Sequence, residues 1–413
     1  MTLHDRVTQN GGGSFIYTSP YHSLQTSGCF ATIETSAHDG QDPAGNFQQQ
    51  LSAAFAEAKS AGIRNPVVVG AIPFDTTQPS ALFIPEHVQF FSRNDHTHDS
   101  LNHSRAPIPP VTTTAHLTPS RQVFEDMVSQ GIAATRQGDV EKVVLSRIVD
   151  ITTRDPLDAL DLFQRLVAQN PASYNFHVPL PDGGSLVGAS PELLLRLEDN
   201  GTFTSHPLAG SARRSPHDAR ADRAAGQALL SSRKDRHEHS LVVDAVRAQL
   251  APRAASLLTA PSEPELVATP TLWHLGTRIA GSTATAADNA LSLACLLHPT
   301  PALSGAPHAA ARGLIRDLEP FDRGLFGGLV GWCDADGGNG EWAVAIRCAR
   351  VRPGGPRRST ARLFAGAGIV PASDPAAEWR ETEAKLATML DALGLSGAVR
   401  TTSDGGEHGR ASL

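Results

Sequence analysis

Residues 325–351 read LFGGLVGWCDADGGNGEWAVAIRCARV, two apolar runs separated by a polar, glycine-rich heptad. In the second run Trp342, Val344, Ile346 and Cys348 alternate with Glu341, Ala343, Ala345 and Arg347, the period of two that belongs to a strand. The heptad DADGGNG between the runs supplies turn residues, so the two are expected to fold back as an antiparallel hairpin. The same punctuation recurs in YNFHV–PDGG–SLVGAS (174–190) and in ELLLRLE–DNG–TFTSHPL (192–208). Hairpins interspersed with helices imply an α+β layering of antiparallel sheet and packed helices.

The helices announce themselves by a different period. TPSRQVFEDMVSQGIAATRQGD (118–139) puts Phe124, Met127, Val128 and Ile132 on one face, and DPLDALDLFQRLVAQN (155–170) opens with Asp155 as a cap and Pro156 at the first helical position. Between them EKVVLSRIVDI (141–151) is strand-like and carries Lys142 near its start. A last helix is expected from about Asp374 to Leu393. The N-terminal part, 1–114, mixes a helical stretch with strand-like runs and ends in a polar, proline-rich connection at 93–114. The tail 396–413 is expected to be disordered, and the region 115–395 lies between it and the N-terminal part.

Composition excludes several classes of function. The chain has 413 residues, enough for a large core, and a formal net charge of −7, which gives no footprint for nucleic acid or an anionic membrane. The arginines at 213, 214, 220, 223, 233 and 236 read as a solvated helix with its loop. Cys29, Cys295, Cys333 and Cys348 lack metal spacing, the N-terminus is polar, and no run of eighteen apolar residues occurs; the expectation is a soluble, cytoplasmic protein. Of 35 basic residues four are lysines, Lys59, Lys142, Lys234 and Lys385, which hints that lysine is kept where an arginine cannot serve.

Lys142 admits two readings: an edge lysine that keeps a sheet end soluble, or a partly desolvated amine that gives up its proton more readily and acts as a general base. Glu192, in GASPELLLR, is either a solvated turn acid or a carboxyl whose apolar walls hold its proton, as a general acid requires. In DRHEHS (235–240) the two histidines are two apart and point to different sides, a poor metal pair. Glu238 between them would suit a hard cation such as Mg²⁺ if carboxylates from elsewhere met it. SDPAAEWRETEAKLATML (373–390) offers Glu378 and Glu381 on one helix face with Lys385 a turn on; an ordinary surface helix with an i,i+4 ion pair is the alternative. PLAGSARR, LHPTPALSG and LFAGAGI are small-residue corners that let charged groups approach backbone N–H.

Taken in order, KVVLSR (142–147), GASPELLLR (188–196), PLAGSARR (207–214), DRHEH (235–239), LHPTPALSG (297–305), EPFDRGLFGGLVGW (319–332), GEWAVAIRCA (340–349) and RLFAGAGIVPASDPAAEWRETEAKL (362–386) resemble the chorismate-utilising enzymes, and among them the isochorismate synthases. The resemblance is close over 118–394 and loose before it. It implies one large domain in which two antiparallel β-sheets pack as a sandwich with flanking helices, with the active site in a cleft. It also implies a Mg²⁺-dependent isomerisation: water adds at C2 of chorismate while the C4 hydroxyl leaves, giving isochorismate. Lys142 then matches the general base and Glu192 the general acid; an arginine at 142 could not take a proton at neutral pH.

Glu238 and Glu381 match the family's Mg²⁺ ligands, with Glu378 joining directly or through water. Arg347 and the Gly366 backbone match a clamp on the enolpyruvyl carboxylate, and Gly210, Ser211, His274, Ala302 and Lys385 match further substrate-contacting positions. The implied partner is chorismate alone, bound by a monomer without an obligate glutaminase subunit. Ala209 stands where the aminodeoxychorismate synthases carry a nucleophilic lysine, which leaves water as the attacker, and Ala302 favours stopping at isochorismate. Two alternatives stay open: a salicylate synthase that goes on to eliminate pyruvate, and a non-catalytic chorismate-binding subunit. The second should have lost the base, acid or metal carboxylates, and the chain retains them all. The product could feed siderophore, salicylate or menaquinone synthesis.

Overall fold

Leu329–Asp334 and Gly340–Val344 pair antiparallel, from Leu329 opposite Val344 to Cys333 opposite Gly340. Asp334 closes the turn by accepting from the backbone N–H groups of Gly337 and Asn339, and Gly338 turns the chain with φ 66°. The structure is a computed structural model that describes residues 14–92, 113–355, 358–395 and 410–412.

Beyond Val344 the hairpin departs from its expected single strand. Arg347 takes φ 50°, and Cys348–Pro353 resumes in a different sheet, between Ser185–Ser190 and Ser359–Ile369. Trp342 and Val344 face one core, whereas Ala343, Ala345 and Cys348 face another, so the alternation slips at the break. A strand that changes sheets needs such a corner, and apolar alternation alone does not reveal it.

A second corner lies beside the first. Ser185–Ser190 belongs to the same sheet as Cys348–Pro353, and Leu193–Leu197 to that of Gly340–Val344, with Pro191 and Glu192 between them. The two corners are stitched together: the Ala189 N–H donates to the Arg347 carbonyl at 3.0 Å and the Val344 N–H to the Glu192 carbonyl at 3.2 Å.

Among the described residues the strands form antiparallel sheets of eleven, eight and three. The two large ones face each other across Phe15, Tyr17, Phe176 and Phe364 from one and Val67, Val69, Val330 and Trp332 from the other. Val68 and Ile72 point the opposite way and pack with Phe47 and Leu51 of the helix Asn46–Ser60. The outer face of the eleven-stranded sheet is covered by Ala159–Gln169 and Pro375–Ala392 through Leu162, Phe163, Leu386 and Met389. Each such fully buried side chain contributes roughly 1.5–3 kcal/mol, so a sheet covered on both faces accounts for strands such as Val67–Ile72, buried at every position.

This is the expected α+β sandwich with flanking helices, to which a small third sheet of Leu208–Arg213, Leu272–Gly276 and Glu265–Ala268 is added. The N-terminal strands belong to the same two large sheets, Ile16–Thr18 pairing with Tyr174–Pro179 and Val67–Ile72 with Leu329–Asp334.

One local expectation is corrected. The helix Ala159–Gln169 starts a turn later than read, because the Asp158 carboxylate accepts from the Leu160 and Asp161 N–H groups and leaves Asp155 and Pro156 outside. In the tail expected to be disordered, Arg410–Ser412 pairs with Thr113–Thr118; the rest of 396–413, like most of the connection 93–114, lies outside the described residues. Among the described residues no helix is long and apolar enough to cross a membrane, and the four cysteines are free, Cys29 exposed and the others buried.

Candidate active site

Both corners open onto one cleft, lined by polar and apolar side chains from several elements. Glu192 and Arg347 enter it from the corners themselves. The strand Lys142–Thr153 lines it with Val144 and Ser146, and its partner Ser359–Ile369 with Gly366 and Gly368. The third sheet brings Gly210, Ser211 and His274, with Ser211 directly opposite His274. Glu238 comes from the helix Arg233–Leu250, and Glu381 and Lys385 from Pro375–Ala392. Ala302 and Leu303 arrive on a corner pressed against the start of the Lys142 strand. There Gly305 has φ 129°, and a Cβ on it would lie 2.1 Å from the Lys142 carbonyl.

Of the twelve residues singled out in the sequence, ten line this cleft: Glu192, Gly210, Ser211, Glu238, His274, Ala302, Arg347, Gly366, Glu381 and Lys385. Lys142 and Glu378 lie just behind the lining. The edge-lysine reading of Lys142 fails, since the side chain is fully buried and its Nζ stands 2.9 Å from Glu238 Oε1. That contact is electrostatic, for among the described residues the ammonium finds no acceptor with good hydrogen-bond geometry. The surface-helix reading of Glu378 fails likewise: it is 1% exposed, and its Oε1 is held by Lys234 Nζ at 2.7 Å.

Each of the three expected metal carboxylates is therefore paired with a lysine, the third being Glu381 with Lys385 at 2.7 Å; Lys385 also donates to the Gly366 carbonyl at 2.7 Å. Burial pushes the Glu378 carboxyl up to about 7, helped by the like charge of Glu381 and opposed by Lys234. For Glu238 burial works in the same direction and is the largest single cause, but Lys142, Lys385 and Lys234 together outweigh it and the carboxyl lies below its ordinary value. Among the described residues no three His, Cys, Asp or Glu are gathered into a ready metal cage. The donor set nonetheless fits a hard divalent cation. Glu378 Oε2 is buried with the Ser373 hydroxyl near it but no well-formed hydrogen bond, and two like-charged carboxylates share one helix face.

Glu192 is 2% exposed, and burial pushes its carboxyl up to about 7. The Leu208 N–H, 3.4 Å from Oε1, and the charges of Lys142, Arg347 and Lys385 oppose this. Arg347 is brought down to about 10 by burial, with Glu381 and Glu192 opposing, and stays charged at neutral pH. Its φ of 50° makes it the one non-glycine residue with positive φ among the described residues, a conformation costing about 1–2 kcal/mol that concentrates at functional positions. His274 is held neutral by burial and by the Arg347 charge, and its Nε2 stands 3.4 Å from Arg347 Nη2.

Sequence reasoning missed four contributors. Lys234 reads as a helix-surface charge. Ser146 and Gly368 sit in segments already singled out, where a period-two reading from Lys142 and from Gly366 would have found them. A Cβ on Gly368 would meet Glu238 Oε1 at 2.2 Å, so only glycine leaves room for the Lys142–Glu238 pair. Arg323 is 4% exposed, pairs with Glu319 at 2.6 Å, and donates to the carbonyls of Leu303 and Val144, tying two walls of the cleft together.

Comparisons with known proteins place the chain in a family. The family model described as chorismate binding enzyme matches residues 85–394. The chain is 56% identical over 381 residues to the isochorismate synthase EntC of Escherichia coli strain K12, covering 92% of this chain and 95% of that one. It is 38% identical over 392 residues to the isochorismate synthase DhbC of Bacillus subtilis strain 168, covering 93% and 94%. The crystal structure of DhbC from Bacillus anthracis superposes with a TM-score of 0.84 at 37% identity, covering 95% of this chain and all of that one. Matched by the family over three quarters of its length and by these relatives over more than nine tenths, the chain belongs to the chorismate-binding enzymes.

Proposed function

We propose that the chain is an isochorismate synthase: it adds water at C2 of chorismate as the C4 hydroxyl leaves, and releases isochorismate. The observation that carries this reading is the pairing, at one cleft, of a buried carboxyl that keeps its proton to about pH 7 with a buried lysine. Water is a poor nucleophile and hydroxide a poor leaving group, so the reaction needs a base for one and an acid for the other. Lys142 is the base and Glu192 the acid. To take a proton Lys142 must present a free lone pair, so its 2.9 Å contact with Glu238 has to loosen first.

Arg347 clamps the enolpyruvyl carboxylate with the help of the Gly366 backbone and with His274 near the enolpyruvyl group, while Gly210, Ser211 and Lys385 make further contacts with the substrate. Glu238 and Glu381 hold Mg²⁺, with Glu378 joining them directly or through water. When bound, the ion supplies the charge that neutralises and orients the ring carboxylate. Ala209 and Ala302 line the cleft, which supports water as the attacker and release before pyruvate is lost. The chain works as a monomer, without a glutaminase subunit.

The test is to incubate the purified protein with chorismate and Mg²⁺, with and without EDTA, and to separate the products by HPLC beside a lactate-dehydrogenase assay for pyruvate. A chorismate–isochorismate mixture without pyruvate, abolished by EDTA, is expected. Salicylate with stoichiometric pyruvate would replace the reading with a salicylate synthase, and no turnover would replace it with a binding subunit.

A further inference from the structure

The strand Lys142–Thr153 presents Val144 and Ser146 to the cleft on one face and Arg147 on the other. Arg147 is 2% exposed, yet its contacts among the described residues are not those of an ion pair. Its guanidinium carbon lies 3.7 Å from the centre of the Trp379 ring, and its Nε donates to Thr382 Oγ1 at 2.7 Å. Thr382 passes the bond on, donating to the Trp379 carbonyl at 2.7 Å. Burial brings the guanidinium down to about 9 and the Glu383 charge opposes this, so it is charged at neutral pH. Burying a charge against a ring and a hydroxyl is costly, and a well-packed methionine would fill the space more cheaply. What arginine adds is a plane that can stack and donate sideways at once.

Trp379 and Thr382 each directly follow one of the expected metal carboxylates, Glu378 behind the cleft lining and Glu381 in it. Both are buried, at 1% and 0% exposure, and the Phe124 ring packs edge-on against Trp379 with centroids 5.7 Å apart. The rotation of this helix turn decides where Glu378 and Glu381 point, and its placement one turn on decides whether Lys385 reaches the Gly366 carbonyl. We propose that Arg147 is a positioning residue: by stacking on Trp379 and bonding Thr382, it locks the carboxylate-bearing turn of Pro375–Ala392 onto the strand that carries Lys142. The proposal rests on the metal reading above for its binding readout and on turnover for a second, independent one.

The experiment compares wild type, Arg147→Lys, Thr382→Val and the double variant. Direct Mn²⁺ binding is measured by electron paramagnetic resonance, kcat and KM for chorismate by HPLC, and thermal unfolding by scanning fluorimetry. Arg147→Lys keeps the charge but loses the stacking plane, and Thr382→Val keeps the shape but loses the acceptor. In Arg147→Lys, Mn²⁺ affinity and kcat are each expected to fall about 10-fold or more, as when a group that orients a metal ligand is removed, with KM within about threefold. Thr382→Val is expected to give part of that loss and the double variant no more than Arg147→Lys alone, since both act through one contact.

Variants that unfold at lower temperature but bind Mn²⁺ and turn over like wild type would overturn the proposal, as would additive losses or a rise in KM alone. If Arg147→Lys fails to fold, Thr382→Val decides: unchanged Mn²⁺ affinity and kcat would overturn it. If wild type binds no Mn²⁺, the metal reading fails, and non-additive losses in kcat would still support the positioning role while additive or absent losses would end it.

Discussion

Replacing Glu192 by glutamine separates what the carboxyl does from what it costs. The amide keeps the shape and can still accept from the Leu208 N–H, but it carries no charge at any pH. A carboxyl raised from 4.5 to about 7 on folding binds its proton more tightly in the folded state than in the unfolded one. Below about 4.5 both states are protonated and burial carries no ionisation penalty; the penalty grows through the window from 4.5 to 7 and is complete above it. Each pKa unit is worth about 1.4 kcal/mol, so the full penalty is on the order of 3 kcal/mol.

Glu192→Gln should therefore be more stable than wild type at pH 8 by up to that amount. For a chain of this size the gain corresponds to a melting temperature higher by roughly 3–4 °C. At pH 4.5 the advantage should vanish. Turnover runs the other way: the variant has no proton to give and should lose on the order of 10²–10⁴ in kcat, while wild-type kcat/KM should fall as pH rises through about 7. Thermal melts of both proteins from pH 4.5 to 8 check the first part and pH–rate profiles the second. A stability difference that does not change with pH would refute the argument that burial holds the proton on Glu192.

Arg347→Lys keeps a charge but cannot grip a carboxylate with two parallel bonds; KM for chorismate should rise about 10–100-fold with a smaller change in kcat, and an unchanged KM would remove Arg347 from the clamp. Gly368→Ala places a Cβ 2.2 Å from Glu238 Oε1, so it should displace the Lys142–Glu238 pair and cut kcat about 100-fold without unfolding the protein; wild-type kinetics would show that the pair can shift freely. Glu381→Gln should raise the Mg²⁺ concentration for half-maximal rate about 10–100-fold, and titration of the rate with the metal measures it.

The antiparallel, layered fold was legible because apolar alternation and glycine-rich turns are local properties, and the hairpin closed by Asp334 is the one expected. The sheet switch at Ala345–Arg347 was not, because the alternation of apolar positions runs on through a corner that only the packing of two sheets imposes. The site shows the same division. Lys142, Glu192 and Glu378 each had a plausible solvated reading, and burial, which settles the matter, depends on elements far away in the chain. Glu192 is walled by Leu208 and Arg347, and Lys142 by Glu238 and Gly368. The ordered run of family-like segments supplied what no single residue could. Lys234 and Arg147 escaped because a charge on a helix, or at an odd position of a strand, reads as solvated until its partner is known.

The scarcity of lysine now has a structural counterpart. Three of the four lysines, Lys142, Lys234 and Lys385, hold carboxylates at or behind the cleft, and the fourth, Lys59, pairs with Asp336 at the surface. Away from the cleft, buried Asp222 is paired with an arginine, Arg214, whose Nε reaches Oδ1 at 3.2 Å and whose Nη2 reaches Oδ2 at 2.7 Å. Such a fork occupies both oxygens of its acid, whereas a lysine touches one and leaves the other for a ligand. At Lys142 a further requirement decides the residue type, because a guanidinium cannot surrender its proton at neutral pH. Lys142→Arg should keep Glu238 paired and the cleft charge unchanged, and should bind chorismate, yet lose on the order of 10²–10⁴ in kcat. Circular dichroism and equilibrium binding would show whether the fold and the affinity survive. Turnover within tenfold of wild type in a folded variant would mean that Lys142 supplies charge alone, and that the proton leaves the attacking water by another route.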